Sequence, residues 1–146
     1  MAEVELRLAA RPALVRTARQ LAVALGRRAG LDDASLDEVR LAVGEATGLA
    51  VALAGLHPSG QVRLRYVDDA GLRVSVTAPG RLAVARGDAA GEVVSAAVHD
   101  GVGTDDGADP LPAGSALMVL ASLAPSLEVS TDADGLAVEL AWPAPG

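Results

Sequence analysis

The sequence predicts an α+β two-layer sandwich: a mostly antiparallel mixed sheet covered on one face by about three helices. Three observations carry this. Several short stretches alternate apolar and polar residues and pair across short turns. Two longer stretches near the front repeat apolar residues at helical spacing. The resulting order is β, α, α, β, β, a long variable segment, α, β, β, which keeps the helices out of the hairpins. A chain of 146 residues suits one domain, 1–146, with a single sizeable core.

Residues 2–9 set Val4, Leu6 and Leu8 against Glu3, Glu5 and Arg7, the pattern of a half-buried strand. Arg11-Pro12 then opens a helix, with proline in its first turn. Leu14, Ala18, Leu21, Ala22 and Leu25 share one face of it, and Gly30 supplies a C-terminal stop. A second helix is announced by Ser35 and Glu38, a capping-box spacing. Leu36, Val39, Val43, Ala46, Ala50 and Leu53 form its stripe, and Gly55 and Pro58 end it. Its other side carries Leu41, Leu49 and Ala52 around Glu45. Apolar residues on both sides predict a helix buried on both sides, where an unpaired carboxylate is costly.

Residues 61–67 and 71–77 alternate cleanly and flank Asp68-Asp69-Ala70, which predicts an antiparallel hairpin. Residues 81–113 form a variable, lid-like segment whose acidic, Gly- and Pro-rich part, 100–113, reads as a mobile loop. Residues 115–123 read as a short buried helix. Leu127–Thr131 and Leu136–Trp142 form a last hairpin around Asp134-Gly135, and 143–146 is a frayed tail.

The composition excludes whole classes of chemistry. There is no Cys, Phe, Ile, Lys or Asn, and all twelve basic residues are Arg. The missing Ile, Lys, Asn and Phe have AT-rich codons, the mark of a GC-rich coding sequence. Without Cys there is no disulfide, thiol nucleophile or Cys-ligated zinc. Without Lys there is no Schiff base and no P-loop lysine. His57 and His99 cannot form a His-only zinc site, and no motif surrounds either. No G-x-S-x-G elbow accompanies the serines. The net charge of −7 disfavours nucleic-acid binding. The N-terminal residues lack a signal-peptide core, and no apolar run reaches membrane-spanning length. The expectation is a soluble cytoplasmic protein without nucleic-acid or membrane partners.

Residues 36–54, LDEVRLAVGEATGLAVALA, and residues 72–80, LRVSVTAPG, carry two further patterns. With the Gly-rich approach to the 115–123 helix and the closing strand ending in Trp142, they resemble the GHKL (Bergerat-fold) ATPase family. The likeness is closest to the compact domains of anti-sigma factor serine kinases. It covers most of the chain. The family's N-box pattern, l-x-x-x-x-A-V-x-E-A-x-x-N-A, keeps its Glu as Glu45. The Asn that holds Mg²⁺ falls on Leu49, and no register shift rescues it in a chain without Asn. The Asp that reads adenine in the family's V-x-V-x-D-x-G-x-G falls on Ala78. Gly80 matches the first glycine there, and Leu82 replaces the second. Gly114 matches the later G-x-G-L motif, in which Ala116 replaces a glycine.

Leucine for a hard oxygen donor leaves Mg²⁺ an incomplete shell, which it tolerates poorly. Alanine for the adenine-reading Asp removes a charge-assisted hydrogen bond. Larger residues for Gly obstruct backbone approach to phosphate. The resemblance therefore implies a regulatory protein-binding domain with a degenerate Mg-ATP site, hence no cofactor and no metal. Glu45 is a remnant of the catalytic position. Its partners would be a sigma factor or a STAS-type anti-anti-sigma factor, and the resemblance allows a homodimer. Two alternatives stand beside it: an active serine kinase using Glu45, and a non-catalytic scaffold subunit.

Other clusters have plainer readings. Asp100-Gly101-Val102-Gly103 supplies an Asp and two glycines, but its spacing and position suit an acidic loop better. Asp100, Asp105, Asp106 and Asp109 lack the spacing of an EF-hand. Arg11, Arg16, Arg19, Arg27 and Arg28 give the first helix a basic bias, first of all a solvated face and otherwise a dock for an acidic partner.

Overall fold

A computed structural model describes residues 2–57, 60–79, 83–84, 96–97, 119–132 and 135–145. Strand β1 (Ala2–Ala9) leads through a 3-10 turn (Pro12–Leu14) into α1 (Val15–Arg28), then α2 (Asp33–Ala54). The hairpin β2 (Gln61–Asp68) and β3 (Gly71–Ala78) follows. Two short strands, β4 (Ala83–Val84) and β5 (Ala96–Ala97), pair with each other. Residues 119–123 are helical (α3), and β6 (Ser126–Asp132) and β7 (Gly135–Pro143) close the chain. Five strands form one sheet in the order β1-β2-β3-β7-β6, and every described pairing is antiparallel. The predicted α+β sandwich is thus the observed architecture.

The alternation in the strands decides which face is covered. Leu8, Val62, Leu64, Tyr66, Val74, Val76, Val138 and Leu140 are buried on one face. Helices α1 and α2 pack against that face and each other, and Leu120 of α3 joins the same core. The stripe of α2 is small: Val39, Ala42, Val43, Ala46 and Ala50 have no exposed surface. Small side chains let the helix settle close on the pleated sheet. Tyr66 adds the polar tie between layers, its hydroxyl donating to the Ala18 carbonyl of α1 at 3.0 Å.

Two glycines bracket the central β3–β7 pair. Gly71 has φ +124 and lies against the Trp142 carbonyl; Gly135 has φ +130 and lies against the Ala78 carbonyl. A Cβ at either would strike backbone and adopt a conformation that L side chains avoid.

The structure corrects two expectations. Asp32, not Ser35, caps α2: its carboxylate accepts the Ser35 N–H at 2.8 Å. A carboxylate three residues upstream satisfies an orphan donor and favours the positive helix end, so α2 starts earlier than the capping box implied. The second correction concerns α2's far side. Leu49 is buried, but Leu41 is 57% exposed, because α1 and the sheet cover only part of the helix circumference. The two-strand pair β4–β5 falls inside the predicted variable segment; the predicted mobile loop over 100–113 lies outside the described residues.

Asp32 and Tyr66 give pH-dependent expectations of opposite sense. The Ser35 backbone hydrogen bond lowers the Asp32 pKa from 3.8. Its stabilisation is therefore present above that value and lost as pH falls through the folded one. Urea midpoints of wild type and Asp32→Ala should differ at pH 7 and converge in acid. Burial raises the Tyr66 pKa far above 10.0. The stability it protects is full below pH 10.0 and lost as pH rises from there through the folded value. Tyr66→Phe should cost about 1 kcal/mol at pH 7 and flatten the alkaline fall in urea denaturation.

Candidate functional site

The residues of interest sit on α2 and at the end of β3, two elements that pack together. Positions 41, 45, 48 and 52 of α2 recur at helical spacing and face away from the core. Leu41 is exposed, and Glu45, Gly48 and Ala52 are half-buried. Among the described residues, nothing lies within 4 Å of where a Cβ on Gly48 would stand, one turn from Glu45. No described side chain forms an ion pair or hydrogen bond with it. On the neighbouring residue, Gly44, the stem of Arg19 from α1 lies close.

Leu49, one turn after Glu45, belongs to the core, at 7% exposure. Its helical neighbours Ala46, Ala50 and Leu53 are also buried. Ala78, the last residue of β3, is 5% exposed. It is the Cα partner of Leu136, and its carbonyl meets Gly135. Both positions are thus apolar and closely packed. Neither side chain offers an oxygen to a cation or an acceptor to a base. Gly80 and Gly114 lie outside the described residues, as do Asp100, Asp105, Asp106, Asp109 and His99.

The basic bias of the first helix resolves into separate side chains. Arg11, Arg16, Arg19, Arg27 and Arg28 are all exposed. Arg28 reaches across to Asp68 at 3.4 Å and ties the end of α1 to the end of β2. His57, in the turn after α2, is exposed and engaged in a contact of its own.

Two features escaped the sequence reading. Thr47 is fully buried in α2, and Trp142 nearly so; the Thr47 Oγ1 and the Trp142 Nε1 have no hydrogen-bond partner among the described residues. The Thr47 signal was visible: a lone hydroxyl at the core side of an Ala/Val stripe. Unpartnered groups of this kind cost stability. No helix among the described residues is long and apolar enough to cross a membrane.

The α2 leucines yield a direct contrast. Leu49→Ala should cost about 2–4 kcal/mol in urea denaturation, as core truncations do. Leu41→Ser should stay within about 0.5 kcal/mol of wild type, as an exposed change does. Comparable losses would contradict the placement of the two residues.

Among known families, the model described as the histidine kinase-like ATPase domain matches residues 8–142. No curated protein matches the chain.

Proposed function

Because the chain belongs to the histidine kinase-like ATPase domain family, of GHKL type, we propose that it is a regulatory protein-binding domain that has given up Mg-ATP. The observation that carries this is the pair Leu49 and Ala78. Both stand at the family's ligand positions, and both are buried and apolar. The residues present do not fit the nucleotide complex. Mg²⁺ demands near-octahedral oxygen ligation, and Leu49 can supply none. Adenine would lose the carboxylate that selects it, since Ala78 holds only a methyl group.

Glu45 survives, but a carboxylate alone performs no phosphoryl transfer. That chemistry rests on positioning the phosphates and neutralising their charge with metal. In this reading Glu45 is a solvated remnant on the open side of α2. The domain then acts by occupying a partner's surface. The resemblance to anti-sigma factor kinases points to a sigma factor or a STAS-type antagonist as that partner.

Isothermal titration with Mg-ATP and Mg-ADP tests the loss. The expected dissociation constant is weaker than about 1 mM, equivalent to about −4 kcal/mol. Micromolar binding would overturn the reading and favour an active kinase using Glu45. Recovery of a sigma factor or STAS protein from the same genome by the purified chain tests the partner class. Recovery of neither would move the reading to a scaffold role outside transcription.

A further inference from the structure

Arginine and carboxylate are unevenly spread along this chain. Residues 6–31 hold six of the twelve arginines and none of the nineteen Asp and Glu residues. The rest of the chain sets six arginines against all nineteen, a balance of −13. Pairing follows the same divide. Arg7, Arg28, Arg40, Arg63, Arg65 and Arg73 each reach a carboxylate at 2.7 to 3.5 Å. Arg11, Arg16, Arg19 and Arg27 have no ion pair or hydrogen bond among the described residues. All four lie on α1 or on the turn leading into it. Carboxylates are in excess in this chain, yet these guanidiniums meet none.

Helix stability does not account for them. Arg27 stands in the last turn, where a cation complements the helix dipole. Arg11 and Arg16 stand at the opposite, positive end, and the first turn holds no acidic residue. A Cβ on Gly44 would stand 2.8 Å from the Arg19 Cδ, so glycine leaves the Arg19 stem room to lie against α2. Arg16 and Arg27 are separated by about three turns of helix, which aligns them on one face roughly 16 Å apart. Arg19 and Gln20 flank that line.

We propose that this arginine face of α1 docks a protein partner through an acidic segment whose carboxylates span about 16 Å. The proposal rests on the chain being a protein-binding domain, and it adds the surface and the chemistry of the contact. Guanidinium forks take carboxylates bidentately. Exposed pairs are individually weak, so recognition needs several carboxylates in a row, matching several arginines. The rest of the chain selects among anions. Its balance of −13 repels a long polyanion such as nucleic acid, which must run on past the face. A short acidic segment stays on it.

Fluorescence anisotropy tests the surface, using the full chain in low salt and a labelled oligoglutamate long enough to reach from Arg16 to Arg27. Wild type should bind, and added salt should weaken binding. Arg16→Gln/Arg19→Gln should weaken it about tenfold, as the loss of two exposed ion pairs would. Arg65→Gln/Arg73→Gln makes the same change in net charge away from α1 and should leave binding within about twofold. Circular dichroism checks each fold. If a double variant fails to fold, Arg16→Gln and Arg73→Gln replace the pair, with losses of about threefold and none expected. No binding by wild type overturns the proposal. So does equal loss in both double variants, which would mean that net charge alone attracts the probe. Tighter binding of an oligothymidylate of equal charge also overturns it, in favour of nucleic acid. Any sigma factor or STAS protein recovered by the wild type is then offered to both variants. Undiminished binding to Arg16→Gln/Arg19→Gln overturns this surface and leaves the protein-binding reading standing. Recovery of no partner counts against that reading, and the oligoglutamate result still decides the surface.

Discussion

The packing of α2 on the sheet is the contact on which the rest of this structure depends. Val39, Val43, Ala46 and Ala50 meet an inner face built from Leu64, Val74, Val76, Val138 and Leu140, all without exposed surface. Apolar burial of this kind supplies most of the drive to fold. It also sets orientation. Once α2 lies on β2, β3 and β7 with α1 beside it, every strand residue of the other parity must face outward. The charge layout of the other face is thus a consequence of how the covered face is filled.

The same contact sorts the residues of the candidate site. Leu49 turns inward with the stripe, and Leu41 turns out. Glu45 lies between these fates, half-buried near Gly48, whose Cβ position no described residue crowds. Across the layer, Ala78 is locked to the start of β7 because only glycine at position 135 permits the approach of its carbonyl. The family's frame is therefore present, and the two positions that the resemblance sets at its ligand sites are buried and apolar. The inference that Mg-ATP has been lost draws on that replacement, and on the absence of asparagine from all 146 residues.

Much of this was legible before any coordinates. The strand alternation placed β1, β2, β3, β6 and β7 within a residue or two, because burial on one face imposes a period of two. The core stripe of α2 was equally plain. Two errors had local and non-local causes. Ser35 and Glu38 imitate a capping box, but Asp32 competes for the same N–H group and wins it with a full charge. The exposed Leu41 could not be told from the buried Leu49, because helical spacing says which residues share a face and not what stands opposite.

By itself, then, the sequence determined the order of elements and the parity of each strand, while the family and the reading of Leu49 and Ala78 came from a resemblance in its motifs. Order and parity follow from periodicity, which is local. Only the tertiary structure decided which part of α2 stays open, and that Arg7 faces Arg63 and Glu128 faces Glu139. Those pairs join residues distant in sequence or set by hairpin register. A shift of one residue would separate them, so register, fixed by the packed core, decides where like charges meet.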